Sequence, residues 1–229
     1  MDIIKFVTQI AGKKAETVYT ASFVSTGWDS TLKSDTPAGN NNTTIYLSTG
    51  YYAPAKYRFI FLFNIASIPL TATIKSATLT LTCVDAAVSN SIVSFYPVLV
   101  SWDAPTVTWN SRATGTAWQT AGCDGALDRS STAIGSVSRL TTDADGTKKI
   151  IPLTVGTPQQ WASYLNSSWG LLAKSDVEAT NSSASFYSSN SATASNRPVL
   201  TITYTNNVNV SPINKAINWI KYAVAELDE

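Results

Sequence analysis

Lys56-Tyr-Arg-Phe-Ile-Phe-Leu-Phe63 is the stretch on which the fold turns. Side chains on an extended strand alternate between faces, so Tyr57, Phe59, Phe61 and Phe63 share one side and Arg58, Ile60 and Leu62 the other. Both faces become apolar along its length, which places the strand centrally in a sheet.

The same rhythm extends in both directions. Thr17–Val24 is rich in β-branched and aromatic residues, and Ile45–Thr49 reads as a short strand. Between them, Gly27-Trp-Asp-Ser and Asp35–Asn42 are loop chemistry. Downstream, Ser76–Val84 alternates cleanly, with Ala77, Leu79, Leu81 and Cys83 inward and threonines outward. Ser91–Val100 is a further strand whose Pro97 favours an edge or a bulge. Residues 111–147 read as loop-rich, and Lys148–Leu153 resumes β structure. Thr157–Leu165 reads as a short helix capped by Thr157 with Pro158 in its first turn. Trp169–Lys174, Ala184–Ser188 and Pro198–Tyr204 are the last strands. Many short strands separated by turns argue for an all-β sandwich of jelly-roll type.

Composition fits that class and excludes others. The chain has 229 residues, 16 basic and 15 acidic, for a net charge of +1. That balance leaves no basic footprint for nucleic acid and no charge-driven attraction to a membrane surface. No stretch approaches the ~20 apolar residues of a membrane-spanning helix. The first ten residues do not read as a secretory signal, because Asp2, Lys5, Thr8 and Gln9 interrupt the apolar run. Cys83 and Cys123 have no motif spacing; they read as two reduced, partly buried thiols, although one disulfide is arithmetically open.

A central motif, Ser101-Trp-Asp-Ala-Pro-Thr-Val-Thr-Trp-Asn-Ser-Arg112, carries a family resemblance together with segments arranged around it. These are Arg58–Asn64 with Ile68-Pro69, Ala72–Leu79, Leu153-Thr154 with Trp161, Trp169–Lys174, Phe186–Ser189, and Arg197, Pro198, Leu200, Ile202 and Tyr204. In this order they resemble the disaggregatase-related (DNRLRE) domain over roughly residues 17–205. The resemblance implies an extracellular β-sandwich, in a family that includes modules binding acidic polysaccharides. The chain departs from the family pattern at Asn64, where an Asp is usual, at Asn190, where a Glu is expected, and at Pro152, which displaces an Asp-Val pair. These departures weaken any charged or metal role at those positions.

The residue inventory argues against catalysis. There is no histidine, which removes Ser-His-Asp and Cys-His arrangements and most zinc sites. The four glutamates are Glu16, Glu178, Glu226 and Glu229, a poor supply for a paired-carboxylate glycosidase. Asp143-Ala-Asp-Gly146 is a fragment of a calcium loop without its remaining ligands and reads as a polar turn, as do Asp124 and Asp128. No metal and no cofactor is expected. Sugar recognition would use exposed aromatic rings, and Trp28, Tyr51, Tyr52 and Trp118 lie in loop-like sequence. Trp102, Trp109, Trp161 and Trp169 lie in the family motifs and read as core.

The ends differ from the body. Residues 1–16 read as an arm or a first edge strand, and residues 206–229 as a linker and an amphipathic helix beginning at Ser211-Pro212. Ile213, Ala216, Ile217, Ile220, Val224 and Leu227 recur at helical spacing, with Trp219 on the edge of the stripe. This stripe is the candidate docking surface: against the chain's own sandwich, against copies of itself, or against another protein. Glu226-Leu-Asp-Glu229 puts acids at the helix end whose dipole disfavours them, a pointer to a basic partner surface.

The expectation is therefore a non-enzymatic structural protein of a bacteriophage virion, a capsid decoration or fibre subunit, made in the host cytoplasm. Its termini would anchor it to capsid, portal or tail proteins and to copies of itself. Its sandwich would face outward and touch a host-surface glycan. The alternative is a carbohydrate-binding module of a secreted or cell-surface, hence extracellular, protein.

Overall fold

Burial on both faces makes Lys56–Phe63 the pivot of the larger of the two main sheets. The computed structural model describes residues 17–69, 71–154 and 170–206. In chain order the strands are β1 (Val18–Val24), β2 (Asp29–Lys33), β3 (Tyr46–Tyr52), β4 (Ala55–Phe61), β5 (Ala72–Thr82), β6 (Ser91–Pro97), β7 (Ser111–Ala113), β8 (Thr116–Ala117), β9 (Gly135–Arg139), β10 (Lys148–Leu153), β11 (Leu171–Ser175), β12 (Ala184–Tyr187) and β13 (Val199–Asn206). One sheet has the order β1-β13-β5-β10. The larger runs β12-β3-β4-β11-β6-β9, with β2 also paired to β4. All these pairings are antiparallel.

The two sheets face each other across one apolar core. Ala77, Leu79 and Leu81 of β5, Ile151 of β10 and Leu200 and Ile202 of β13 meet Phe59 and Phe61 of β4, Phe95 of β6 and Phe186 of β12. Phe59 stands at the centre of the aromatic packing, with Phe61, Phe95 and Phe186 at centroid distances of 5.6, 6.4 and 5.8 Å. Burying a ring of this size contributes on the order of 2–3 kcal/mol each. The chain is thus an all-β sandwich, as the alternation of β4 and β5 implies.

The opposite face of β4 carries a second core. Leu32, Ile60 and Leu172 pack there against Val98, Trp102, Ala104, Val107, Trp118 and Cys123. The segment between β6 and β9 therefore lies as a cover over the outer face of the large sheet, and β4 is apolar on both sides because both sides are buried.

Some expectations change in detail. Residues 111–147 contain β7, β8 and β9, and Asp29–Lys33 is a strand although its start reads as loop. β6 is not an edge, since it lies between β11 and β9. Pro97 is tolerated there because it ends the strand and contributes only its carbonyl, which accepts the Ser130 N–H at 2.8 Å. Both cysteines are buried and unpaired. The N-terminal arm, the Thr157–Leu165 helix and the C-terminal helix with its docking stripe lie outside the described residues.

Candidate functional site

Trp28 is held on the surface by its neighbours on both sides. Its carbonyl accepts the Leu62 N–H at 2.8 Å, which continues the β2–β4 pairing by one residue. Gly27 N–H donates to Ser189 Oγ at 3.0 Å. The buried Asp29 carboxylate accepts the Ser189 N–H at 2.7 Å and the Ser189 hydroxyl at 3.0 Å. Burial raises the Asp29 pKa above its ordinary value, and the bonds from Ser189 only partly oppose this. Trp28 itself meets Trp102 edge-on, centroids 6.0 Å apart at 76°, and keeps 43% of its surface exposed. The exposed ring borders an open groove of ≈ 370 Å³ lined by Thr26, Trp28, Leu62, Phe63, Asn64, Ile65 and Ala66. Asn64 Oδ1 accepts the Ala66 N–H at 3.1 Å, which fixes the loop forming the groove's far wall. A flat ring, apolar walls and an amide are the chemistry that receives the apolar face of a sugar ring and bonds one of its hydroxyls.

The other sequence-derived candidates do not join it. Tyr51 and Tyr52 end β3 rather than occupying a loop, and Tyr52 is 56% exposed. They pair with Lys56 and Ala55, at the far end of β4 from Leu62. Seven residues of strand separate Ala55 from Leu62, about 23 Å. Trp118 is a correction: it is buried, not a surface ring. Its indole Nε1–H donates to the Thr108 carbonyl at 3.0 Å, and its ring packs in the second core. Trp102 is core, and Trp109 is partly buried against that core, as expected.

A charged cluster lies beside the second core. Arg58 is almost fully buried and donates to both Glu178 oxygens, at 2.8 and 2.7 Å, to Asp124 at 3.0 Å and to the Gly122 carbonyl at 2.9 Å. Its guanidinium lies over the Trp109 ring at 5.1 Å. Asp124 also accepts from Arg129 and Lys174. Burial opposes the Asp124 charge, but Arg129, Arg58 and Lys174 outweigh it and bring its pKa down to about 2. Beside this cluster a second open hollow is lined by Leu99, Asp124, Gly125, Ala126, Arg129, Ser130 and Ser131.

The remaining carboxylates of interest are also engaged. Asp128 accepts the N–H groups of Gln119, Thr120 and Gly125 at 2.9, 3.0 and 3.0 Å, so it organises the turn containing Cys123. Asp143, part of the calcium-like fragment, accepts from Arg139 at 2.7 Å, Leu140 N–H at 2.8 Å and Lys149 at 2.6 Å. Asp145 accepts the Tyr187 hydroxyl at 2.9 Å. Among the described residues no three His, Cys, Asp or Glu side chains gather as a metal-binding group.

Arg139, fully buried and stacked on Phe186 at 5.0 Å, went unread in sequence. Its signal is faint: a cation at the end of a short strand, four residues before an aspartate. Asp29 was also missed, because it reads as part of a turn.

Comparison with known proteins agrees with the fold. The family model described as the disaggregatase related repeat domain matches residues 29–202, from β2 to β13. No curated protein matches the chain. The matched span covers both cores, the Arg58 cluster and the Leu62–Ala66 wall of the groove, while Trp28 itself precedes it by one residue, and the chain belongs to the disaggregatase related repeat domain family.

Proposed function

We propose that this chain is a non-enzymatic structural and recognition subunit, with the β-sandwich as its outward body and the Trp28 groove as a glycan contact. One observation carries this reading. The charged groups that would serve catalysis are consumed as internal ties, whereas the exposed ring at Trp28 is held rigidly beside an open, uncharged groove. Asp29, Asp124, Asp128 and Asp143 are each bound by donors of the chain itself. Trp28 has its main chain pinned on both sides, so little order is lost when a sugar stacks on it.

The setting we propose is a bacteriophage particle, in which the subunit decorates a capsid or builds a fibre. A carbohydrate-binding module of a secreted or surface protein uses the same groove and differs in what carries it. Sedimentation of particles from the native source, with mass spectrometry of the pelleted fraction, separates the two. Stoichiometric recovery in a virion-sized fraction supports the particle setting; recovery only as a free protein supports the module. In either setting Trp28→Ala is expected to weaken glycan retention about tenfold or more, the loss of roughly 1.4 kcal/mol or more of stacking.

A further inference from the structure

We infer that β1 is a self-association edge, on which a second copy of this chain adds its own β1 in antiparallel register about a two-fold axis at Ala21. Among the described residues β1 pairs with β13 along one edge and has no strand on the other. Exposed edges are normally blunted by charge, proline or shortness. The opposite edge strand of the same sheet, β10, carries Lys148, Lys149 and Pro152, and its end is tied to the other sheet by Thr154 N–H on the Ile134 carbonyl. β1 has none of these devices. It spans seven residues without a charge, a proline or a glycine, and Val18, Tyr19 and Val24 are 59%, 43% and 44% exposed.

The occupant follows from the order of those residues. Val18-Tyr-Thr-Ala-Ser-Phe-Val24 is a chemical palindrome. A two-fold interface requires residue i to meet j and j to meet i. With Ala21 on the axis, Val18 meets Val24 of the second copy, Tyr19 meets Phe23, Thr20 meets Ser22, and Ala21 meets itself. Each pair is matched in kind, which is the arrangement that stabilises antiparallel neighbours. The two faces are already prepared. On the outer face Thr20 and Ser22 lie beside Thr203 and Thr201, hydroxyls 3.5 and 3.1 Å apart, so Thr20–Ser22 contacts extend an existing hydroxyl ladder. On the inner face Tyr19 stacks on Tyr204 at 5.5 Å, so a Phe23 ring from the second copy extends an existing aromatic row. The product is one continuous sheet of eight strands, by strand addition.

Sedimentation equilibrium of the full chain tests this. The wild type is expected at twice its 24.5 kDa. Thr20→Lys with Ser22→Lys sets lysines against lysines twice in the pairing, and Thr20→Glu with Ser22→Glu does the same with acids. Both positions are exposed, so each variant is expected to fold normally, to be monomeric, and to self-associate roughly tenfold or more weakly. An equimolar mixture of the two variants is expected to recover the dimer, because every Lys then faces a Glu. A monomeric wild type, a double-lysine or double-glutamate variant that still dimerises, or a mixture that stays monomeric each overturns the inference. Persistence of the dimer in both charged variants would place contact between copies elsewhere than β1.

Discussion

At the scale of single residues, Arg58 gathers four hydrogen bonds and an aromatic contact while almost fully buried. It neutralises Glu178 and Asp124 while covering Trp109. Removing one partner of a buried ion pair leaves the others uncompensated, so Arg58→Met is expected to destabilise the fold by about 3–5 kcal/mol in urea unfolding. Asp124 sets part of the acid limit. Its folded pKa of about 2 lies below the ordinary 3.8, so its contribution is complete above 3.8 and is lost as pH falls through about 2. Asp29 runs the other way: its folded pKa is raised, so its contribution is lost as pH rises through that value. Asp124→Asn is expected to flatten the fall in urea midpoint between about pH 5 and pH 2, so that variant and wild type converge at the acid end. Cys83 and Cys123 are fully buried, and burial raises both thiol pKa values. A thiol reagent should therefore leave the native protein unmodified and label two groups after denaturation; labelling of the native state would show that either core opens readily.

At the scale of elements, β4 explains most of the architecture, because its two faces belong to two cores. β11 reaches it through Gly170, which has φ +83° and lies so close to Phe61 that a Cβ would overlap the Phe61 carbonyl oxygen. Gly170→Ala is expected to cost about 3 kcal/mol or more. Gly115→Ala, at φ +69° with open space around it, should cost only about 1 kcal/mol. Thermal unfolding of the two variants checks the contrast. The strands were legible in sequence because burial on one side imposes a period of two, as in Ser76–Val84, and burial on both gives a short continuous apolar run, as in Lys56–Phe63. The cover between β6 and β9 was not, because irregular bonds hold it rather than a repeat. Asn40 Nδ2 reaches the carbonyls of Ala104 and Val107, and Asp128 gathers three N–H groups. Trp118 shows the consequence. Its sequence is loop-like, yet the loop is itself packed on a sheet, so irregular backbone did not mean exposed side chain.

At the scale of the whole molecule, two cores are closed among the described residues, and two features of their surface stand out. One is the Trp28 groove, whose ring was legible as an exposed aromatic but whose anchor, Asp29 on Ser189, required partners 160 residues apart to be brought together. The other is the edge of β1 that no strand covers among the described residues. On the function proposed, the sandwich recognises glycan through Trp28 without cleaving it. Electrophoresis of the full chain through gels containing acidic or neutral polysaccharides tests this most directly, with wild type and Trp28→Ala side by side and the polysaccharide recovered for sizing. The expected result is that at least one polysaccharide retards the wild type, that Trp28→Ala loses about nine-tenths of that retardation, and that the recovered polymer keeps its length. Equal retardation of both proteins, retardation of neither, or a shortened polymer would contradict it.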